Sequence, residues 1–375
     1  MSSIDSSLTH THREIFQQPA IWRETYKCIS EKEKEISSFL SIYCDNDVTI
    51  IFAGAGTSSF IGNILTFILP KHHLYNIKSV STTDITTHAP VIFQKEKRYI
   101  LVSLARSGNS PESIAAVDLA NSICGENIAH IYITCNAKGK LVKKAEHKNV
   151  LSLVLPPETN DKGLAMTSSF TSMLLASALI FDMPNVKAKE FLIDALSEKA
   201  EGMFAEYKDK TAEIASRNFE RAVFLGSGEE KGIAEECHLK LQELTDGKII
   251  CLFDSFLGFR HGPKAALNEK TLLVYLFSED DNVFQYERDL VIQINQQQKP
   301  MAQIYVAHKK RKIENIVFDM EMIPKTQAQT EYDVILYVLV GQMLGMFKSM
   351  ELGLNPDNPS VNGKIARVVE GVTIY

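Results

Sequence analysis

Val48-Thr-Ile-Ile-Phe-Ala-Gly-Ala-Gly-Thr-Ser-Ser-Phe60 reads as an unbroken apolar strand, a Gly-x-Gly turn and a helix entered through Thr57 and Ser58. The same order returns at Ala222-Val-Phe-Leu-Gly-Ser-Gly228, followed by a helical run through Ile233, Leu239, Leu241 and Leu244. Strands that are apolar throughout are buried on both faces, and strands that alternate with helices form parallel sheets covered on both sides. Further strands of this kind are predicted at Tyr99–Leu104, Ile128–Thr134, Val150–Leu155, Ile249–Phe253, Leu272–Phe277 and Met301–Val306. The prediction is an α/β chain of two tandem domains, each a doubly wound parallel sheet flanked by helices. An N-terminal segment over 1–44, a single helix with Trp22 and Tyr26, precedes a first domain over 45–215 and a second over 216–375. The boundary falls near the polar helix Glu198–Arg217, and 375 residues suit two hydrophobic cores better than one.

The composition, 45% hydrophobic and 23% charged, is that of an ordinary globular protein. A net charge of -6 argues against a nucleic-acid partner, since no basic stripe is present to displace counterions from a phosphate backbone. The short run Lys309-Lys310-Arg311-Lys312 is expected to be solvated surface. The six cysteines show no Cys-x-x-Cys spacing, so reduced thiols in a cytoplasmic setting are expected. His10 and His12 read as a frayed tail rather than metal ligands. The longest apolar stretch, Val334 to Phe347, includes Gly341 and Gln342 and is too short to span a bilayer, so it is predicted to be a buried helix and no membrane partner is expected.

Ile100-Leu-Val-Ser-Leu-Ala-Arg-Ser-Gly-Asn-Ser-Pro-Glu112 is again strand, loop and helix, with Pro111 near the first turn. Taken alone it is an ordinary serine-capped turn, but the free N–H groups of a helix start and the Ser107 and Ser110 hydroxyls also suit an anion. Three loops of the first half, Gly56–Ser59, Ser107–Ser110 and Met166-Thr-Ser-Ser-Phe170, gather at the carboxyl edge of a doubly wound sheet and make a hydroxyl-lined phosphate cup, to which Arg106 could add charge. At the matching helix start of the second half stand Glu229 and Glu230, which repel an anion. A dinucleotide site at Gly54-Ala-Gly56 fails on detail: Ser59 takes the third small position, no lone acidic residue closes a second strand, and Thr82, Thr83 and Asp84 read as a polar loop. The second half instead carries Glu236, Lys240 and Glu243 on one helix, where an exposed pair is worth little. It also carries His261, in the turn Gly258-Phe-Arg-His-Gly-Pro-Lys264, as a proton carrier near neutrality.

With these motifs in order, the chain resembles the sugar isomerase (SIS) domain family, and within it the galactosamine-6-phosphate deaminase/isomerases of the AgaS type. The likeness runs through Gly54-Ala-Gly-Thr-Ser58, Ala105-Arg-Ser-Gly-Asn-Ser-Pro-Glu-Ser113, Glu158-Thr-Asn-Asp161, Ala165-Met-Thr-Ser-Ser-Phe170, Leu225-Gly-Ser-Gly228, Leu239-Lys-Leu-Gln-Glu-Leu-Thr245, Gly258–Lys264 and Asn355-Pro-Asp-Asn-Pro-Ser360. The resemblance implies phosphate binding by Ser58, Ser107, Ser110 and Thr167; Gly56, Thr57, Arg106 and Asn109 are further candidates for the same phosphate, and Asp161 for the sugar. It implies that Glu243 moves a proton between C1 and C2, that Lys240 stands beside it, and that His261 assists ring opening from a partner subunit. Lys364 matches the C-terminal lysine of the related synthase domain only loosely, because Val361-Asn-Gly363 precedes it differently, and Ala105 stands where the wider family often has a hydroxyl. No metal or cofactor is implied. The expected reaction turns D-galactosamine 6-phosphate into D-tagatose 6-phosphate and ammonia in a homo-oligomer. The alternatives are a plain aldose/ketose isomerase and a regulatory sugar-phosphate sensor, the latter opposed by the lack of a helix-turn-helix segment.

Overall fold

Both Gly-x-Gly segments follow buried strands in the computed structural model, which describes residues 9–71, 76–145, 147–326, 330–369 and 371–375. The first sheet holds β1 (Thr49–Ala53), β2 (Asn76–Ser79), β3 (Tyr99–Ala105), β4 (Ile128–Thr134) and β5 (Val150–Val154), in the order β2-β1-β3-β4-β5. The second holds β6 (Arg221–Leu225), β7 (Ile250–Asp254), β8 (Thr271–Leu276), β9 (Ala302–Val306) and β10 (Met320–Met322), in the order β10-β9-β8-β6-β7. Seen from the opposite edge this is the same order, so one topology is used twice. Every pairing among the described strands is parallel. In each sheet the winding reverses beside the first strand, between β1 and β3 and between β6 and β8, and a crevice opens at their carboxyl ends.

The predicted strands are all present. Strands β2 and β10 were not foreseen, because β2 is a half-exposed polar edge and β10 is three residues long, and neither offers an apolar run. Three helices, α1 (His10–Phe16), α2 (Gln18–Glu31) and α3 (Glu33–Tyr43), replace the single N-terminal helix expected. The first sheet is accompanied by α4 (Thr57–Ile68), α5 (Thr82–Ile92), α6 (Pro111–Cys124), the short α7 (Lys140–Lys143) and α8 (Ser168–Phe181). Thr82, Thr83 and Asp84 are the first turn of α5 rather than a loop, because the Ser81 side chain caps the Asp84 N–H. The polar helix is longer than predicted, α9 (Glu190–Ser216). It leads to α10 (Glu229–Leu244), α11 (Phe256–Phe259), α12 (Asp281–Gln297) and α13 (Val338–Glu351).

The compact units do not follow the linear segments 1–44, 45–215 and 216–375. One gathers the residues up to Pro19, Gly163–Ala165 and Asp194–Lys364; the other gathers Ala20–Lys162, Met166–Ile193 and Ile365–Tyr375. The physical reason is visible at α1: Asp357 accepts the His10 N–H at 2.9 Å, the Thr11 N–H at 2.7 Å and the Thr11 hydroxyl at 2.8 Å. His10 and His12 therefore sit on a tethered helix, not a frayed tail. Arg311 departs from the solvated run expected at 309–312, with its guanidinium 3.9 Å from the Phe284 ring centroid.

The stretch Asp333–Glu351 is long and apolar enough to cross a membrane by length and composition, yet 83% of it is buried within the protein. Its buried Gln342 accepts from the Gln18 amide at 2.7 Å, as a core helix requires. Against it packs α10. A Cβ at Gly341 would lie 2.5 Å from the Cys237 Cβ, so only glycine lets these two helices approach so closely.

Candidate active site

The first crevice is built by two strand-to-helix turns. β1 runs into Gly56, whose φ of 54° places it in the left-handed region, and α4 begins at once with the buried Thr57 and Ser58. β3 runs into Arg106–Ser110. Ser110 caps α6 by accepting the Ser113 N–H at 3.4 Å, and its hydroxyl meets that of Ser113 at 2.5 Å. Pro111 fills the first helical position. Two helix N-termini therefore open into one cleft, lined by Ser58, Arg106, Ser107, Ser110 and Ser113, with the methyl of Ala105 beside them. Such a cup suits a phosphate.

Three expected ligands also bond within the protein. Asp161 is fully buried and accepts the Thr167 N–H at 2.8 Å, the Ser169 N–H at 2.9 Å, the Ser169 hydroxyl at 2.5 Å and the Thr167 hydroxyl at 3.2 Å. It holds the head of α8. Burial pushes its carboxyl up, while Ser169, Thr167 and Arg106 pull it back. Thr167 is likewise buried with its hydroxyl given to Asp161, and Asn109 Oδ1 accepts the Lys140 N–H at 3.0 Å.

The cup also contains residues that the motifs did not mark. The C-terminal residues Arg367, Val368 and Val369 form part of its wall. Arg367 donates from Nε to the Asp161 carbonyl at 2.6 Å and from Nη2 to Asn160 Oδ1 at 2.7 Å, and its own carbonyl accepts from Arg106. Nothing local distinguishes Arg367 from any other arginine in a polar tail. Lys364, three residues earlier, is exposed and forms no hydrogen bond or ion pair among the described residues.

The matching crevice of the second sheet holds a carboxylate of its own. Glu287, from α12, is fully buried and accepts the Ser278 N–H at 3.0 Å, with Ser227 of the Gly-x-Gly turn among the groups that draw its carboxyl down. Glu229 and Glu230 in the first turn of α10 add negative charge that disfavours a phosphate there. Burial pushes the Glu287 carboxyl up to about 7. A raised acid holds its proton more tightly in the folded state, so its contribution is full below the ordinary glutamate range and is lost as pH rises through 7. Glu287→Gln, which cannot ionise, is therefore expected to gain about 2 kcal/mol over the parent between pH 5 and pH 8. Urea unfolding at the two pH values checks this; a gain equal at both would exclude Glu287 ionisation as its source.

On α10 the lysine–glutamate pair is not a surface feature. Lys240 is fully buried, with Nζ 3.2 Å from Glu236 Oε1 and bonded directly to Glu243 Oε1; the Glu236 side chain is fully enclosed and that of Glu243 is 17% exposed. Burial draws the ammonium down, but the two carboxylates outweigh it and hold Lys240 above the ordinary lysine range. Glu243 is thus oriented at the end of a buried ion cluster and still reaches solvent. His261 follows α11 on an exposed turn, its N–H bonded to the Gly258 carbonyl at 2.9 Å and its imidazole open to solvent.

Residues 41–183 match the SIS domain family model. The chain is 35% identical to the D-galactosamine-6-phosphate deaminase AgaS of Shewanella sp., covering 97% of this chain and 91% of that protein. The chain belongs to the AgaS family of SIS-domain proteins. It is also 33% identical to the D-galactosamine-6-phosphate deaminase AgaS of Escherichia coli, covering 98% of this chain and 96% of the relative. A solved tagatose-6-phosphate ketose/aldose isomerase from Escherichia coli superposes with a TM-score of 0.90 at 31% identity, over 98% of this chain and 97% of that one. The two crevices are therefore those of an AgaS-family enzyme, one hydroxyl-lined, the other with a buried glutamate beside it.

Proposed function

We propose that this AgaS-family chain converts D-galactosamine 6-phosphate and water to D-tagatose 6-phosphate and ammonia. The full-length match to D-galactosamine-6-phosphate deaminases carries the reading. The phosphate is held in the cup by Ser58, Ser107, Ser110, Arg106 and the N-termini of α4 and α6. His261 assists opening of the pyranose to the aldehyde, which acidifies the proton on C2. Glu243, oriented by Lys240, removes that proton as general base and delivers one to C1, passing through an enolamine. The product of this transfer is a ketose imine at C2; water adds to the imine carbon, the C–N bond breaks, and ammonia leaves. The exposure of His261 favours a site completed by a second copy of the chain, and six free thiols suit a reducing, cytoplasmic setting.

An ammonia-release assay across galactosamine, glucosamine and N-acetylgalactosamine 6-phosphates tests the reaction. Release from galactosamine 6-phosphate above the others is expected; interconversion of tagatose 6-phosphate with an aldose phosphate and no ammonia would replace the deaminase with the plain isomerase that the solved neighbour's name describes. For the assembly, chains carrying His261→Ala mixed with chains carrying Glu243→Gln are expected to regain activity once subunits exchange, because some hybrid sites then receive both intact residues. Inactive hybrids of verified composition would place both residues in one chain's site.

A further inference from the structure

His261 stands on an exposed turn, so what fixes the direction of its imidazole has to act from beneath and from its two flanks. Beneath, Phe256 and Phe259 of α11 are buried in one apolar cluster with Leu290, Val291 and Ile294 of α12, which seats the turn on that helix. The Ser255 side chain caps α11 by accepting the Gly258 N–H at 2.9 Å. On the flanks, Arg260 donates from Nη1 to Gln293 Oε1 at 2.7 Å, and Lys264 donates from Nζ to Gln297 Oε1 at 3.0 Å. Gln293 and Gln297 are four residues apart on α12 and so share one face, beside the buried stripe. The two contacts differ in weight. Arg260–Gln293 is part-buried, whereas Lys264–Gln297 is exposed, where water competes for both partners.

We propose that Gln293 is a positioning residue for His261: through Arg260 it ties the turn to α12 and holds the imidazole in the orientation that proton transfer requires. The proposal rests on the reading of His261 as the group that assists ring opening, and adds to it what keeps an exposed side chain in place. A proton carrier works only within hydrogen-bond reach of the atom it serves, and a displacement of about 1 Å can cost as much as a hundredfold in rate. A turn already held in the productive geometry also spares the cost of ordering it when substrate or a second copy of the chain arrives. A glutamate at 293 keeps an acceptor oxygen at the same reach, whereas an alanine removes it, so the two replacements separate the bond to Arg260 from every other property of the position.

The test is turnover of galactosamine 6-phosphate by the full-length protein, read as ketose phosphate formed, together with calorimetric titration of inorganic phosphate. Gln293→Ala is expected to lower kcat about tenfold, short of the full cost of a displaced group because the Phe259 anchor and the Lys264 contact remain. Its KM and phosphate affinity should stay within about twofold of the parent's, since the residue touches neither substrate nor phosphate. Gln293→Glu is expected to keep at least about half of the parent kcat, because its carboxylate still accepts from Arg260. Arg260→Ala, which removes the same bond from its other end, should match the Gln293→Ala loss. In a His261→Ala background, Gln293→Ala should lower the residual turnover no further, because the group it positions is gone. Parent-like kcat in Gln293→Ala, a Gln293→Glu variant as slow as Gln293→Ala, or losses that multiply in the double variant would each overturn the positioning role and leave His261 in the mechanism. Parent-like turnover in His261→Ala, or a parent protein inactive on the sugar phosphate, would overturn the reading of His261 and the proposal together.

Discussion

Glu243→Gln is expected to lower turnover of galactosamine 6-phosphate by at least about a hundredfold while leaving substrate binding within about twofold, the pattern of a lost general base. The amide keeps the volume and can still accept a hydrogen bond from Lys240, so the end of α10 should stay where it is. Glu243 is the one carboxylate of the cluster with part of its surface open, at 17%, whereas Glu236 has none and cannot meet a sugar without local opening. Steady-state kinetics paired with inorganic phosphate titration separate the two effects. Parent-like turnover in a homogeneous Glu243→Gln preparation would remove this residue from the mechanism and leave His261 as the remaining proton carrier.

Lys240→Met is expected to produce the largest loss of stability, about 3 to 5 kcal/mol, because removing one partner of a buried ion cluster strands the other charges. Two carboxylates would be left against each other, one of them fully enclosed. Restoring charge balance should return part of the loss: Lys240→Met with Glu236→Gln is expected to recover at least about 1 kcal/mol relative to Lys240→Met alone. Urea unfolding at neutral pH gives both values. A loss below about 1 kcal/mol would mean that the cluster behaves like an exposed ion pair in solution.

Both predictions depend on burial that no local pattern announces. Three residues along a helix bring Lys240 and Glu243 to one face wherever that helix lies, and most such pairs face water. The pair is taken out of water by α13, whose Gly345 brings the Lys240 carbonyl to within 2.8 Å of where a Cβ would stand. About a hundred residues separate these two helices in the chain, so their approach belongs to the packing and is unreadable from either segment.

What the amino-acid sequence determined by itself is everything set by short-range stereochemistry. Continuous apolar runs mark the buried parallel strands, and each Gly-x-Gly or Ser-x-x-Ser turn marks where a strand hands the chain to a helix. Because a doubly wound sheet collects such turns at one edge, the convergence of Ser58, Ser107 and Ser110 on one cleft was legible as well, as was the acidic start of α10. Tertiary structure decided the rest, since those roles depend on residues remote in the chain. The two edge strands are recruited by their neighbours rather than by their own side chains. Asp161 and Thr167 turn inward to hold α8, and Glu287 is buried against the end of β8. Arg367 becomes part of the first crevice only because the final residues of the chain fold back onto the sheet that begins at Thr49. A hydroxyl or a charge in a sequence advertises what it can bind, but which acceptor or donor it meets is settled by whichever distant group arrives first at hydrogen-bonding distance and keeps it from water.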